Sequence, residues 1–163
     1  MSQPRLAELL RSFDQAYDRK SWHGTTLRGS LRNLTPAEAA WRPAPGRHSA
    51  WELVVHSAYW KWSVLRRLDP AAGEFPESGS NFFGRPDTPD ERAWRRDVEL
   101  LGTVHRRLRA AIAGLSDDDL ERVPRGSKTT IGDLVRGVSA HDLYHAGQIQ
   151  LLKRLARPGN DEV

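Results

Sequence analysis

Two histidines, His141 and His145, lie four residues apart in the segment HDLYHAGQIQLLKR. On a helix this spacing places both imidazoles on one face, about 5–6 Å apart at their Cβ atoms. Imidazole nitrogens are good ligands for zinc, nickel and similar ions, so the pair could hold one divalent metal ion. The spacing alone leaves a second interpretation open, in which both are core histidines bonded to backbone carbonyls.

The natural third ligand is His56, at the centre of the predicted helix WELVVHSAYWKWSVLRRL. That helix places polar and aromatic residues on the same side as His56: Glu52, Tyr59, Trp60 and Ser63. Three imidazoles leave a position open for water or substrate, an arrangement typical of catalytic rather than structural zinc sites. Around these ligands, Tyr59 and Gln148 could hydrogen-bond a metal-bound water, and Trp60 could form a wall of the pocket. Helical spacing supports the direction of these three side chains rather than their role.

Three further histidines have weaker patterns. His105 lies on the apolar seam of a predicted helix, where it could be a fourth ligand or support one; the alternative is a core residue with satisfied hydrogen bonds. His23, beside Trp22 at a break in the first helix, could reach the mouth of the site, or it could simply interact with the helix terminus. We expect His48 to be structural.

Four long helices must position these residues. The apolar spacing of Leu6–Tyr17 predicts the first, interrupted at Ser21–Gly24 and continued to about Asn33. A short helical turn begins with the capping box of Thr35 and Glu38. The second long helix begins at Ser49, with Glu52 completing another capping box, and ends near Leu68.

The two remaining helices follow a connection rich in glycine, proline and serine, residues 69–87. We expect Thr88–Glu91 to cap the third long helix, and the last to run from Thr130 to Pro158 and Gly159. Six residues of this last helix share one face, which we expect to point inward: Leu134, Val138, His141, His145, Gln148 and Leu152.

These elements predict an all-α fold, a four-helix bundle formed by one domain over residues 1–163. The connection of about nineteen residues is long enough to carry the chain back along the bundle, so the second and third long helices could run parallel. The sequence therefore predicts up-down-down-up topology with a long crossover between these two helices.

The composition excludes several classes of function. The chain has no cysteine, which rules out disulfides, cysteine-ligated zinc and a cysteine nucleophile. Its net charge of +4 comes mostly from arginines interleaved with acids, so we do not expect a nucleic-acid partner. With no apolar run of signal-peptide or membrane-spanning length, we expect a cytoplasmic protein that does not bind membranes.

Three segments together resemble the landmarks of one family. WHGTTLRGSL, RHSAWELVVHSAYWKW and HDLYHAGQIQLLKR follow the order found in the DinB-like superfamily of helical metalloenzymes, which is unrelated to the DNA polymerase of that name. The resemblance covers roughly residues 5–157. It implies a metal site on His56, His141 and His145, zinc or nickel as the ion, an up-down-down-up bundle, and a homodimer.

The site also limits the chemistry. Neutral imidazoles leave the ion a strong Lewis acid, which could activate water for hydrolysis or lower the pKa of a small thiol. No glutamate stands beside the histidines to serve as the base for hydrolysis. Relatives in the superfamily imply a transferase that uses a low-molecular-weight thiol cosubstrate, such as mycothiol or bacillithiol, on a small-molecule substrate. The alternatives are a non-catalytic metal-binding or stress-associated protein and a metal-dependent hydrolase.

Overall fold

Every regular element of the described chain is helical. The computed structural model describes residues 3–79 and 81–157. The elements in chain order are α1 (Pro4–Tyr17), α2 (Leu27–Ser30), α3 (Pro36–Ala40), α4 (Ala50–Leu68), α5 (Glu91–Ala113), a 3₁₀ turn (Asp118–Glu121) and α6 (Ile131–Leu155). No helix in these ranges combines the length and the apolar character needed to cross a membrane.

Helix α4 begins where the sequence predicts. Ser49 Oγ accepts a hydrogen bond from the Glu52 N–H, and Glu52 Oε2 accepts one from the Ser49 N–H, at 3.2 and 2.8 Å. This reciprocal capping box satisfies two of the free N–H groups at the helix start. The predicted capping box of Thr35 with Glu38 at α3 and the predicted cap of Thr130 at α6 are confirmed as well.

Two other helix boundaries differ from the prediction. Helix α5 begins at Glu91 rather than at Thr88, because the Asp90 carboxylate caps it by accepting hydrogen bonds from the N–H groups of Arg92 and Ala93. The continuation of the first helix to Asn33 is reduced to α2, the single turn Leu27–Ser30. The predicted stop at Pro158 and Gly159 lies outside the described residues, and α6 ends at Leu155.

Helix α4 packs against α5 on one side and α6 on the other, and α1 packs against α5 and α6. Trp51 is fully buried between α4 and α5, with its ring edge-on to Trp94 at a centroid distance of 5.4 Å. Its indole N–H donates to Asp97 Oδ2 at 2.7 Å, and Arg85 pairs with the same carboxylate at 3.1 Å. The ion pair of Arg85 with Asp97 thus attaches the connection that follows α4 to α5.

The inward face of α6 is rotated from the predicted one. Leu134, His141, Gln148 and Leu152 are only half-buried. The buried positions are Ile131, Gly132, Val135, Val138, Ser139, Asp142, His145, Ala146 and Ile149. The core face is therefore centred near Asp142, and His141 lies at its edge. This rotation leaves the histidines at the boundary between core and solvent, where a small molecule could reach them.

Candidate metal centre

The structure brings His56 from α4 together with His141 and His145 from α6. The Nε2 atom of His141 lies 3.0 Å from Nε2 of His56 and 3.0 Å from Nε2 of His145. The potential ligand atoms of the three residues all lie within 4.8 Å of one another. The four-residue spacing on α6 places two of the rings on neighbouring turns. The group thus converges on one point and fits a metal-binding site.

Two of the three rings are oriented by hydrogen bonds on their far side. His56 Nδ1 donates to the backbone oxygen of Asn81 at 2.8 Å, and His145 Nδ1 donates to Gln148 Oε1 at 2.6 Å. In a neutral imidazole whose Nδ1 carries the proton, Nε2 has the free lone pair. Both lone pairs therefore face the common point, as they do in histidines that bind metals.

Hydrogen bonds between the three imidazoles cannot satisfy this arrangement as well as a metal ion can. A neutral His141 can donate from Nε2 to only one of its two neighbours, and the other neighbour then faces it without a hydrogen bond. Its Nδ1 is buried and has no hydrogen-bond partner among the described residues. Two nitrogen ligands on one zinc ion lie about 3.3 Å apart, close to the separations seen here. The three residues fit a metal ion.

Burial keeps these imidazoles neutral. It lowers the pKa of His141 to about 3 and the pKa of His145 to about 4, and the neighbouring imidazoles add to the effect. Burial also lowers the pKa of His56. Because a protonated imidazole cannot bind a metal, these shifts keep the ligands available near neutral pH.

A pocket of about 690 Å³ opens onto the three histidines. His48 and Phe82 form part of its wall; the Phe82 ring stacks on His56 at 4.0 Å and on His48 at 3.8 Å. The other lining residues are Pro43, Ala44, Arg47, Leu53, Tyr144, Gln148, Leu151 and Leu152. None of these described residues carries a carboxylate, so the wall is uncharged or cationic.

Of the other predicted site residues, Trp60 and Gln148 lie beside the histidines. The Trp60 ring stands edge-on to His56 and His141, and its N–H donates to Asn81 Oδ1 at 2.7 Å. Tyr59 instead packs against an aromatic cluster that includes Phe75 and Phe83, and it is not part of the pocket wall.

His105 and His23 lie away from the three histidines. The buried His105 ring stacks on Tyr17 at 3.6 Å and on Phe13 at 4.7 Å. Burial, reinforced by the nearby Lys61 ammonium, lowers its pKa to about 2. His23 is exposed and lines a separate surface pocket along α6. Neither belongs to the three-histidine group.

A buried ion pair next to the site has no counterpart in the sequence prediction. Lys61 and Asp142 are both fully buried and pair with each other across α4 and α6. The position of Lys61 in the sequence could have indicated its burial, since it continues the stripe of Val54, Ala58 and Leu65 at helical spacing. A lysine on such a stripe is buried, and a buried lysine needs a partner.

Comparison with known families agrees with this geometry. A family model described as the DinB superfamily matches residues 19–149. The chain belongs to the DinB superfamily. The matched range includes all three histidines and the Lys61–Asp142 pair, so this DinB-superfamily chain has its candidate site within the family's own region. Among curated proteins and solved structures there is no match.

Proposed function

We propose that this chain holds one divalent metal ion, zinc or nickel, on His56, His141 and His145. We further propose that it uses the ion to activate a low-molecular-weight thiol for transfer to a small-molecule substrate. The convergence of the three Nε2 atoms, with two of the rings oriented from behind, is the observation that carries the proposal. A divalent ion held there would lower the pKa of a thiol that reaches its open position.

The lining of the pocket favours thiol transfer over hydrolysis. Metal-dependent hydrolysis needs a general base near the attacking water, and the described lining residues offer no carboxylate. The chain has no cysteine, so the thiol must come from outside. In the proposed reaction, the thiol loses its proton to solvent and its sulfur forms a bond to carbon. The leaving group departs with the electron pair of the broken bond.

Arg47 is the residue we assign to binding the thiol. It is exposed, lines the pocket, and forms no ion pair with a carboxylate of residues 3–79 or 81–157. A guanidinium binds a carboxylate through two parallel hydrogen bonds. A thiol that bears a carboxylate could therefore be held at Arg47 while its sulfur lies at the histidines.

Cobalt substitution tests this proposal. Protein loaded with Co²⁺ is titrated with N-acetylcysteine, which bears a carboxylate, and with 2-mercaptoethanol, which does not. We expect a sulfur-to-cobalt charge-transfer band with both. Arg47→Ala should weaken N-acetylcysteine binding about tenfold and leave 2-mercaptoethanol unchanged, because a charge-assisted bond contributes roughly 1.5 kcal/mol or more.

The exposed Arg125→Ala variant, which is outside the pocket, is the matched control. A cobalt-loaded protein with no band at any thiol concentration would contradict thiol activation and favour a non-catalytic metal-binding protein. An equal effect of Arg47→Ala on the two thiols would contradict the role of Arg47 alone.

The proposed architecture is a single-domain four-helix bundle with up-down-down-up order. Its distinctive part is a parallel arrangement of α4 and α5. In support, Trp51 near the start of α4 bonds Asp97 near the start of α5. Beyond the end of α4, the Ala72 carbonyl accepts from Arg107, in the last third of α5.

We also propose a homodimer. Tyr144, Leu151 and Leu155 are 64, 59 and 51 % exposed and lie on one side of α6, at intervals of seven and four residues. Such an apolar stripe is typical of an interface. Light scattering during gel filtration should give twice the monomer mass. Leu155→Glu, at the stripe residue outside the histidine pocket, should reduce it to the monomer mass. A parent of monomer mass would contradict the homodimer.

A further inference from the structure

His141 borders two pockets rather than one. Besides the large pocket, a second pocket of about 260 Å³ lies between α4 and α6. It is lined by Trp60, Val64, Thr129, Asp133, Leu134, Gly137, Val138 and His141. His141 is the residue that the two lining sets share. A ligand in either pocket therefore ends beside the same imidazole.

The lining of the small pocket is suited to an uncharged apolar group. Val64, Leu134 and Val138 supply aliphatic surface. The charged side chain at its edge, Asp133, is already engaged, because it pairs with Arg136 at 2.9 Å and accepts from the Thr130 hydroxyl at 3.0 Å. Among the described residues that line this pocket, an ionic ligand would find no unpaired charged group.

The volume sets the size of the group. An engineered protein cavity of about 150 Å³ binds benzene, so about 260 Å³ holds a single ring with a short substituent or a short branched chain. Trp60 is a firm wall on this side, since its N–H is bonded to Asn81 and its ring is edge-on to His141. The pocket thus places a small apolar group against the candidate metal centre.

We infer that this small pocket binds the apolar part of the second substrate, an aliphatic or one-ring aromatic group that is transferred to the thiol. The inference rests on the proposed function, because it needs a thiol in the large pocket. The contrast between the charged groups of the two pockets carries it. The large pocket has the Arg47 guanidinium among its apolar lining, whereas the charged residue of the small pocket, Asp133, is already paired with Arg136. Two substrates of different polarity would then meet at His141.

Gly137 provides a way to fill the small pocket. A Cβ atom added there would meet no atom of the described residues within 4 Å, apart from its chain neighbours and the backbone of its own helix, so Gly137→Leu has room for its first side-chain atom. Leucine also favours a helix more than glycine does, by roughly 0.8 kcal/mol, so the fold should survive. Gly147→Leu is the matched control, since that glycine is equally open but lines another pocket of the same helix.

The experiment is a titration of zinc-loaded protein with fluorobenzene, followed by ¹⁹F NMR. We expect Gly137→Leu to weaken fluorobenzene binding about tenfold or more, because the ring loses its site, and Gly147→Leu to remain within about twofold of the parent. Equal binding by all three proteins, or no binding by any, would overturn the inference.

Cobalt-loaded protein then locates the probe. Paramagnetic Co²⁺ should shorten the ¹⁹F relaxation time of bound fluorobenzene strongly in the parent and in Gly147→Leu. If each protein holds one metal ion but cobalt leaves the relaxation unchanged, the small-pocket inference fails while the proposed metal site stands. If no protein holds metal, the proposed function itself fails, whatever the fluorobenzene titration gives.

Discussion

Lys61 and Asp142 form an ion pair inside the molecule, with 2.5 Å between Nζ and Oδ2 and no exposed surface on either side chain. The ammonium also lies over the rings of Phe13 and Tyr17, at 4.8 and 5.1 Å from their centroids. Asp142 directly follows His141, so the pair fixes α4 and α6 relative to each other at the level of the histidines. Burial opposes both charges, because it raises the pKa of Asp142 and lowers the pKa of Lys61.

Removing one partner of this pair should lower the stability of the fold strongly, whereas replacing both partners with apolar residues should not. Asp142→Leu leaves a buried ammonium without its partner, and Lys61→Met leaves a buried carboxylate; each should lower the free energy of unfolding by about 3–5 kcal/mol. The double variant should lie much closer to the parent, because neither charge remains. Urea denaturation of metal-free protein measures this, and two single variants within about 1 kcal/mol of the parent would contradict a coupled pair.

Gln148 should tune metal affinity through His145. Gln148→Leu removes the acceptor for the Nδ1 proton of His145, which should lower zinc affinity about 10–100-fold. Gln150→Leu makes the same change on the same helix but removes a bond to Thr25 instead, so it is the control. Competition with a chromophoric chelator measures the affinities, and equal values for the two variants would argue against this role for Gln148.

Tyr59, by contrast, should have no part in the metal site. Its ring lies among Trp62, Phe75 and Phe83, away from the wall of the histidine pocket. Tyr59→Phe should therefore leave zinc affinity within about twofold of the parent, as expected for a hydroxyl outside the site. A loss as large as that predicted for Gln148→Leu would restore Tyr59 as a site residue.

His105 should make the fold sensitive to acid. Its pKa is about 2 in the folded state, against an ordinary value of 6.5, so between these values the unfolded chain binds a proton that the folded protein does not. Stability should therefore fall as pH decreases below 6.5, by up to about 1.4 kcal/mol per pH unit from this group.

The pH dependence is tested against a variant that cannot titrate. His105→Gln should lose less stability than the parent between pH 6 and pH 4. The two slopes of unfolding free energy against pH should differ by an amount that approaches the binding of one proton on unfolding. Urea denaturation of metal-free protein across this range isolates the contribution, because the three site histidines are present in both proteins. Parallel pH dependences for parent and variant would show that His105 titrates normally in the folded protein.

The features that could be predicted from the sequence are those set by local contacts. The capping boxes of Ser49 with Glu52 and Thr35 with Glu38 form as predicted, because both partners lie within one helical turn. The pair of His141 and His145 depends on the same short range. His56 could be added because polar and aromatic residues flank it on the same side of its helix, and the family resemblance points to the same residue.

The features that could not be predicted depend on contacts between distant segments. Asn81 lies in the long connection, and its backbone oxygen orients His56 and its side chain holds Trp60. The buried face of α6 includes Asp142, whose partner Lys61 lies 81 residues earlier in the chain. The helical spacing of α6 alone predicts an inward face that includes both histidines, and that face is displaced from the buried one, which is centred near Asp142.

The most direct test of the central claim is the metal content of untagged protein after loading with zinc or nickel, measured by inductively coupled plasma mass spectrometry. The parent is compared with the double variant His141→Ala, His145→Ala and with His23→Ala, whose exposed histidine lies outside the site. About one equivalent in the parent and in His23→Ala, lost in a folded double variant, is the predicted result. Metal retained by the double variant, or no metal in any protein, would contradict the three-histidine centre.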